Sequence, residues 1–98
     1  MAHRIVWSQQ ALSDVEEIAE YIEKDSPFYA RSVVARIVAA TRLLVQYPLS
    51  GRVVPEMRDA AIREVFAVNY RIIYRVEETV VTIAAVVHGK RLLDTGGA

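Results

Sequence analysis

The segment from Ile62 to Arg91 constrains the fold more than any other part of the chain, because β-rich runs follow one another there with only short breaks. Asn69 forms the first break, and Glu77-Glu78-Thr79 makes a tight turn at the second. Sequential strands joined this closely pair antiparallel. The segment therefore predicts three antiparallel strands, at about residues 62–68, 70–76 and 80–87.

Upstream of these strands, apolar residues recur at helical spacing in two stretches. The first follows Ser8, whose hydroxyl can cap a helix, and runs to about Lys24. The second follows Ser26, has Pro27 at its first position, and ends before Pro48. The break between them is short, so the helices should form an antiparallel hairpin. We expect helices at residues 9–24 and 27–46.

The element order points to one fold class. A short β-prone run, Arg4 to Trp7, precedes the helices, and residues 49–61 read as a loop in which Pro55 prevents regular pairing. The order is therefore β-α-α-β-β-β. A helical hairpin on one face of an antiparallel sheet buries both apolar stripes, which predicts a two-layer α+β fold with its second face open. A length of 98 residues suits a single domain spanning residues 1–98.

Composition excludes several classes of protein. Twelve basic and 12 acidic residues give zero net charge, whereas a general nucleic-acid binder is more strongly basic. The absence of cysteine excludes disulfides and thiolate metal sites and fits a reducing cytoplasm. Two histidines are too few for a metal site, so we expect neither a metal nor a cofactor. No apolar run approaches the ~20 residues of a membrane span. A hydrophobic content of 53% indicates that a partner covers some apolar surface.

The charges of the two predicted helices are segregated. The second helix carries Arg31, Arg36 and Arg42 with no acid between residues 31 and 42. In residues 14–25 the only base is Lys24. The acids of that stretch are Asp14, Glu16, Glu17, Glu20, Glu23 and Asp25. The simplest interpretation is two solvated faces that attract each other.

Alternation along the middle strand assigns its two faces. Two guanidiniums should not lie under helices, so Arg71, Ile73 and Arg75 are predicted on the open face. The helix face then carries Tyr70, Ile72, Tyr74 and Val76. For the neighbouring strands, alternation alone does not decide which side faces the helices.

One set of polar residues could carry chemistry. Arg71 and Arg91 present guanidiniums that match phosphate, and His88 or Glu64 could transfer a proton. Together they could stabilise a cleaved phosphodiester. The alternative is structural: Glu64 pairs with an arginine across the sheet, and His88 is a polar strand end. The chain contains no nucleophile elbow, P-loop or metal signature.

Several short motifs stand in a distinctive order along the chain. The most specific are Ile62-Arg63-Glu64, Tyr70-Arg71-Ile72-Ile73-Tyr74-Arg75-Val76 and Val87-His88-Gly89-Lys90-Arg91. Weaker ones are Ile5-Val6-Trp7-Ser8, Asp25-Ser26-Pro27, Tyr47-Pro48 and Val54-Pro55-Glu56. Their order and spacing resemble the RelE/ParE superfamily of toxins from bacterial type II toxin–antitoxin systems, which includes plasmid stabilisation proteins. The resemblance covers nearly the whole chain.

The resemblance implies a small toxin that a cognate antitoxin neutralises by wrapping around it in a hetero-oligomer. Two activities occur in the superfamily. RelE-like members bind the ribosomal A site and cut mRNA. ParE-like members inhibit DNA gyrase by protein–protein contact.

The residues favour the ParE-like activity. Two lysines that RelE-like members place on the strand before Arg71 fall at Ile62 and Glu64, and their catalytic tyrosine falls at Gly96-Gly97. These losses remove charge stabilisation in the transition state and a proton-transfer group. We therefore expect a gyrase inhibitor. The alternative is a ribosome-dependent mRNA endoribonuclease that uses Glu64, Arg71, His88 and Arg91.

Two binding surfaces follow from the resemblance and the predicted fold. The hairpin of helices 9–24 and 27–46 is expected to hold an antitoxin helix, as amphipathic helices bind grooves. The target, gyrase or alternatively the ribosome with its mRNA, is expected to contact polar residues of the sheet. These candidates are Arg63, Arg71, Arg75, His88, Lys90 and Arg91.

Overall fold

Two helices packed on a five-stranded sheet make up the computed structural model, which describes residues 2–91. The predicted two-layer α+β architecture is confirmed. No helix within residues 2–91 is long and apolar enough to cross a membrane. In chain order the elements are β1 (Arg4–Trp7), α1 (Gln9–Glu23), α2 (Pro27–Arg42), β2 (Arg52–Val53), β3 (Ile62–Ala67), β4 (Tyr70–Val76) and β5 (Val80–His88).

The helix starts lie where the sequence places them. The Ser8 hydroxyl accepts the Ala11 N–H at 3.0 Å, and the Ser26 hydroxyl accepts the Tyr29 N–H at 3.0 Å. Each serine thereby satisfies a donor that the first helical turn cannot pair internally. The second helix ends earlier than predicted, because Leu43–Val45 tightens into a 3-10 turn. The carbonyl of Val45, freed by that turn, accepts the His3 N–H and ties the helix end to the N-terminus.

The sheet order is β1-β5-β4-β3-β2, and it differs from the predicted sheet at both edges. The three central strands are antiparallel, as predicted. The sheet as a whole is mixed, because β1 runs parallel to β5 with Arg4 opposite Val80. The predicted loop at 49–61 contains β2, which pairs with β3 through Arg52 and Glu64. Pro55 does not prevent this pairing, since it follows the strand.

A bulge in β5 interrupts the simple alternation of its side chains. Ile73 pairs with Ala85, but the next residue, Tyr74, pairs with Ile83, which leaves Ala84 without a partner. The extra residue reverses the side-chain parity along β5. Val81, Ile83 and Val86 therefore all belong to the core. The backbone beside the bulge binds Ser8, whose hydroxyl donates to the Ala84 carbonyl at 3.0 Å.

The core lies between the helices and the predicted helix face of β4, with Ile72 and Tyr74 fully buried there. The opposite face is not open as expected. Arg71 is 4% exposed and Ile73 is 3% exposed. The segment after β2 folds back toward this face: Val54 is fully buried, and Glu56 reaches Arg71. A chain segment that was assigned to a loop thus covers the centre of the second face.

Tyr74 connects the core to the segment between α2 and β2. Its hydroxyl donates to the Pro48 carbonyl at 2.8 Å and accepts the Gly51 N–H at 3.0 Å. A Cβ on Gly51 would lie 2.4 Å from the Glu64 carbonyl oxygen, so only glycine fits at this close approach. Burial raises the pKa of Tyr74 above its ordinary value.

Replacement of Tyr74 by Phe should lower the free energy of unfolding by about 1–3 kcal/mol, because the Pro48 carbonyl and the Gly51 N–H lose their shared partner. Urea denaturation measures the change. Tyr47→Phe is the matched control, since Tyr47 is 65% exposed. Equal stability of the two variants would contradict the structural role of the Tyr74 hydroxyl.

The raised pKa of Tyr74 also gives a pH dependence. The unfolded chain, where the tyrosine pKa is near 10.0, loses this proton before the folded chain does. The contribution to stability is therefore complete below that pH and is lost as the pH rises toward the folded-state pKa. Tyr74→Phe should show a smaller loss of unfolding free energy above about pH 10 than the wild type.

Candidate functional site

Arg71 is a buried cation at the centre of the second face of the sheet. Its Nε donates to Glu64 Oε1 at 2.6 Å. Its Nη1 and Nη2 donate to the two carboxylate oxygens of Glu56, at 2.9 and 3.0 Å. Nη1 also donates to the main-chain oxygen of Arg91 at 2.8 Å. The chain itself thus engages all three nitrogens of the guanidinium.

Glu64 links three strands through one carboxylate. Its side chain is fully buried, and it accepts from Arg71 on β4 and from Arg52 on β2. The guanidinium of Arg52 lies 5.5 Å from the ring centroid of Phe66, a cation–π distance. The cross-strand ion pair, which the sequence left as one of two alternatives for Glu64, is therefore present.

The charges of this cluster compensate one another. The hydrogen bonds that Arg71 donates to Glu56, with smaller contributions from Glu64, raise the pKa of Arg71, although burial acts in the opposite direction. A buried guanidinium is tolerated only when carboxylates and hydrogen bonds replace its hydration. We refer to Arg52, Glu56, Glu64 and Arg71 as the arginine cluster.

Arg63 is also bound to the chain, on the side of β3 opposite to Glu64. Its Nε donates to the Ala60 carbonyl at 3.0 Å, and its Nη1 donates to the Gly51 carbonyl at 3.0 Å. Such contacts hold the two ends of the 49–61 segment against β3. Arg63 therefore supports a loop in this structure.

His88 lies away from the arginine cluster. It pairs with Tyr70 across the sheet, and the two rings form an edge contact with centroids 5.9 Å apart. Tyr70 packs against the core under the helices, whereas Arg71 points to the other face. The bulge at Ala84 causes the separation, because strict alternation from Ile83 would have placed His88 on the side of Arg71. The four residues of the possible nuclease site therefore divide into two pairs: Glu64 bonds to Arg71 on one face of the sheet, and His88 and Arg91 line a cavity of about 300 Å³ beside α1.

The remaining candidates from the sequence are exposed. Arg75 and Asp59 approach to 4.0 Å, with about half of each side chain in solvent. Lys90 and Arg91 are exposed beyond the end of β5. The Lys90 N–H donates to Nδ1 of His88 at 3.2 Å, which places the proton of a neutral imidazole on Nε2. Gly96-Gly97, where the catalytic tyrosine of RelE-like members would fall, lies outside the described residues.

A cavity of about 380 Å³ with both polar and apolar lining lies at the turn between β3 and β4. Val68 at this turn has a φ of 56°, a strained conformation for a β-branched residue. The Gly89 N–H donates to the Asn69 carbonyl at 2.7 Å and joins the turn to the end of β5. The cavity is lined by Phe66, Val68, Asn69, His88, Gly89 and Lys90.

A groove follows the seam between the two helices. One cavity of about 340 Å³ lies where Leu12 and Val15 of α1 face Val38 of α2. A second, of about 290 Å³, lies where Ala19 faces Val34. We call this seam the helical groove. The groove lies on the helical hairpin, and its use as a binding surface stays a prediction.

Sequence reasoning missed Glu56 and Arg52 as members of the site. Both lie in the segment that was read as a loop, and neither belongs to a pattern that marks a buried charge. The only local signal is β-branched Val53-Val54 before Pro55, which is compatible with a short edge strand. Both residues act through contacts with residues that are far away in the sequence. The longest separation is the 15 residues from Glu56 to Arg71.

Solved toxins have the same fold. A structure of the chromosomal ParDE toxin–antitoxin system of P. aeruginosa aligns with a TM-score of 0.74 and 20% identity, over 89% of this chain and 96% of that one. The RelBE2 toxin–antitoxin complex of Mycobacterium tuberculosis aligns with a TM-score of 0.61 and 22% identity, over 90% and 99%. At these identities the likeness establishes the fold.

Sequence relatives establish the family. A putative toxin, Y4kP, of Sinorhizobium fredii is 42% identical over 76% of this chain and 80% of its own length. Toxin RelE2 of Caulobacter vibrioides is 34% identical over 91% and 98%. The family model for the ParE toxin of the type II toxin–antitoxin system parDE matches residues 5–93. The chain belongs to this ParE toxin family, which confirms the resemblance noted from its motifs.

The burial of Arg71 predicts a large difference between two arginines on one strand. Arg71→Ala should lower the free energy of unfolding by about 3–5 kcal/mol, because it leaves buried carboxylates without their cation. Arg75→Ala, two residues along β4, should cost under about 1 kcal/mol, since its ion pair is exposed. Urea denaturation of both variants tests this. Equal losses would show that the arginine cluster does not stabilise the fold.

Proposed function

We propose that this toxin is ParE-like and inhibits DNA gyrase by protein–protein binding. One observation carries the proposal: the guanidinium of Arg71, which a nuclease would direct at phosphate, is bonded to Glu56 and Glu64 inside the protein. A side chain that is 4% exposed and has all three guanidinium nitrogens bonded within the protein has no free donor fork to offer a substrate.

The positions of the proton-transfer candidates support the same proposal. Glu64 is fully buried in its two ion pairs, and His88 lies on the other face of the sheet. General acid–base catalysis requires groups within hydrogen-bond reach of one reacting site. Glu64 bonds to Arg71 but is buried away from any substrate, and His88 does not lie beside Arg71.

The exposed cations around the end of β5 are the proposed contacts to the target. Lys90 and Arg91 follow His88, the last residue of β5. Arg75 lies near the opposite end of the neighbouring strand β4. Their exposure and the mixed apolar surroundings, with Phe66 53% exposed, suit a protein surface with a charged rim. Arg63 and Arg71 then act indirectly, by holding the loop and the strand end in place.

A supercoiling assay with purified gyrase and relaxed plasmid tests the proposal. The wild-type toxin should inhibit supercoiling, and Lys90→Ala/Arg91→Ala should weaken inhibition about tenfold, as for loss of a binding hot spot. Arg4→Ala/Arg36→Ala is the matched control, because it removes two exposed cations from other elements. Normal gyrase activity at saturating wild-type toxin would overturn the proposal.

Ribosome-dependent mRNA cleavage is the second candidate. Two observations favour it: a relative that is 34% identical bears the name Toxin RelE2, and a cavity of about 380 Å³ lies beside His88 and Lys90. Its residues would be Glu64, Arg71, His88 and Arg91.

Primer extension on an mRNA undergoing translation separates the two candidates. We expect no cleavage when purified wild-type toxin is added to a translation reaction, because the candidate groups do not converge. Cuts that disappear with His88→Gln would assign the nuclease activity instead. That substitution leaves the arginine cluster intact, so loss of folding would not mimic loss of catalysis.

We further propose that a cognate antitoxin binds the helical groove, in a cytoplasmic hetero-oligomer. The groove is lined mainly by apolar and small side chains such as Leu12, Ala19 and Val34, and Leu12 is 44% exposed. Apolar seams of this kind accept the apolar face of an amphipathic helix. An antitoxin that contacts only the strand face opposite the helices would contradict this placement.

A further inference from the structure

The walls of the helical groove carry charges of opposite sign. On α1, residues 12, 16, 19 and 23 recur at helical spacing, so Glu16 and Glu23 stand on the same stripe as Leu12 and Ala19. On α2, residues 31, 35, 38 and 42 recur with the same spacing, which places Arg31 and Arg42 on the other wall. One wall is acidic and the other is basic.

These charges are not neutralised across the groove. Four ion pairs form within residues 2–91, and none of them joins α1 to α2. The attraction between the helices that the sequence indicated therefore does not produce direct pairs. Glu16, Glu23, Arg31 and Arg42 are all exposed and can meet charges of a bound partner.

We propose that the groove selects an amphipathic helix with basic residues along one flank and acidic residues along the other, and that it fixes the direction of that helix. The proposal rests on the assignment of the groove to the antitoxin and names the chemistry of the segment that it takes. The basic flank lies against α1, and the acidic flank lies against α2.

Direction follows from geometry. An amphipathic helix seated with its apolar stripe in a groove has a left and a right flank. Turning the helix end for end exchanges these flanks. A helix with both flanks alike fits equally well in either direction, whereas a helix with segregated charges matches the two walls in only one. Across three helical turns, from Leu12 to Glu23, several weak pairs act together.

Two synthetic helical peptides of identical composition test the selection. Both carry a Leu and Ala stripe; one has lysines on one flank and glutamates on the other, and the second has the two mixed on both flanks. The segregated peptide should bind the full-length toxin about tenfold more tightly at low salt. The difference should shrink at high salt, because the walls are exposed to solvent. Equal affinities, or no binding by either peptide, would overturn the inference.

Matched variants locate the effect in the groove. Glu16→Lys and Arg31→Glu should each weaken binding of the segregated peptide several-fold. Glu17→Lys and Arg36→Glu make the same charge changes on the same helices, but their positions are rotated by about 100° and 140° from those groove residues. They should leave binding unchanged. Equal effects of the groove and control variants would show non-specific attraction and would overturn the inference.

The chain contains no cysteine, so a single Lys24→Cys variant can carry a spin label at the hairpin end of the groove. The label should broaden the NMR signals of only one end of the segregated peptide. Broadening of both ends would overturn the fixed direction. If the toxin alone sediments as a dimer that Glu16→Lys dissociates, the groove belongs to a second copy and the inference is wrong. Growth arrest on expression is measured separately, so failure of the toxin assignment is distinguishable from failure of this inference.

Discussion

The fold of the second face depends on the neutralisation of one buried guanidinium. Arg71 sits in the middle strand, where water cannot solvate it, so carboxylates must come to it. Glu64 comes from the adjacent strand, and Glu56 comes from the segment after β2, which also buries Val54. The same cation holds the main chain at Arg91. The guanidinium of Arg71 thus links β3, β4, the segment after β2 and the main chain at the end of the described residues.

This arrangement explains why an arginine at a position shared with nucleases need not have a catalytic role. An arginine in the middle of a sheet is available to phosphate only when its neighbours leave the guanidinium uncompensated. Here Glu64 occupies the position at which RelE-like members are expected to carry a lysine, and Glu56 adds a bidentate pair. Two carboxylates accept hydrogen bonds from the Arg71 guanidinium. The chemistry of the site is then decided by residues around Arg71 and not by Arg71 alone.

The parts of the fold that the sequence could predict are those with local signals. Serine caps, apolar periodicity and the tight turn at Glu77-Glu78-Thr79 act within a few residues, and they placed the helices and central strands. The parallel pairing of β1 with β5, the short strand β2 and the bulge at Ala84 depend on distant partners. The bulge also determines where His88 lies relative to Arg71, because one unpaired residue places His88 on the other face of the sheet. The sequence of β5 gives no local signal that would predict this bulge.

The position of β1 in the sheet has a consequence for synthesis of the protein. In the sheet, Arg4 to Trp7 pair with Val80 to Ile83 of β5, which come much later in the sequence. When β1 leaves the ribosome, its partner strand has yet to be made, and at ~5–20 residues per second several seconds pass before it exists. The Ser8 N–H and hydroxyl likewise cannot bond to the carbonyls of Ile83 and Ala84 until those residues have been synthesised. The five-stranded sheet can be completed only after β5 has been translated, so a chain that stops before β5 cannot assemble it.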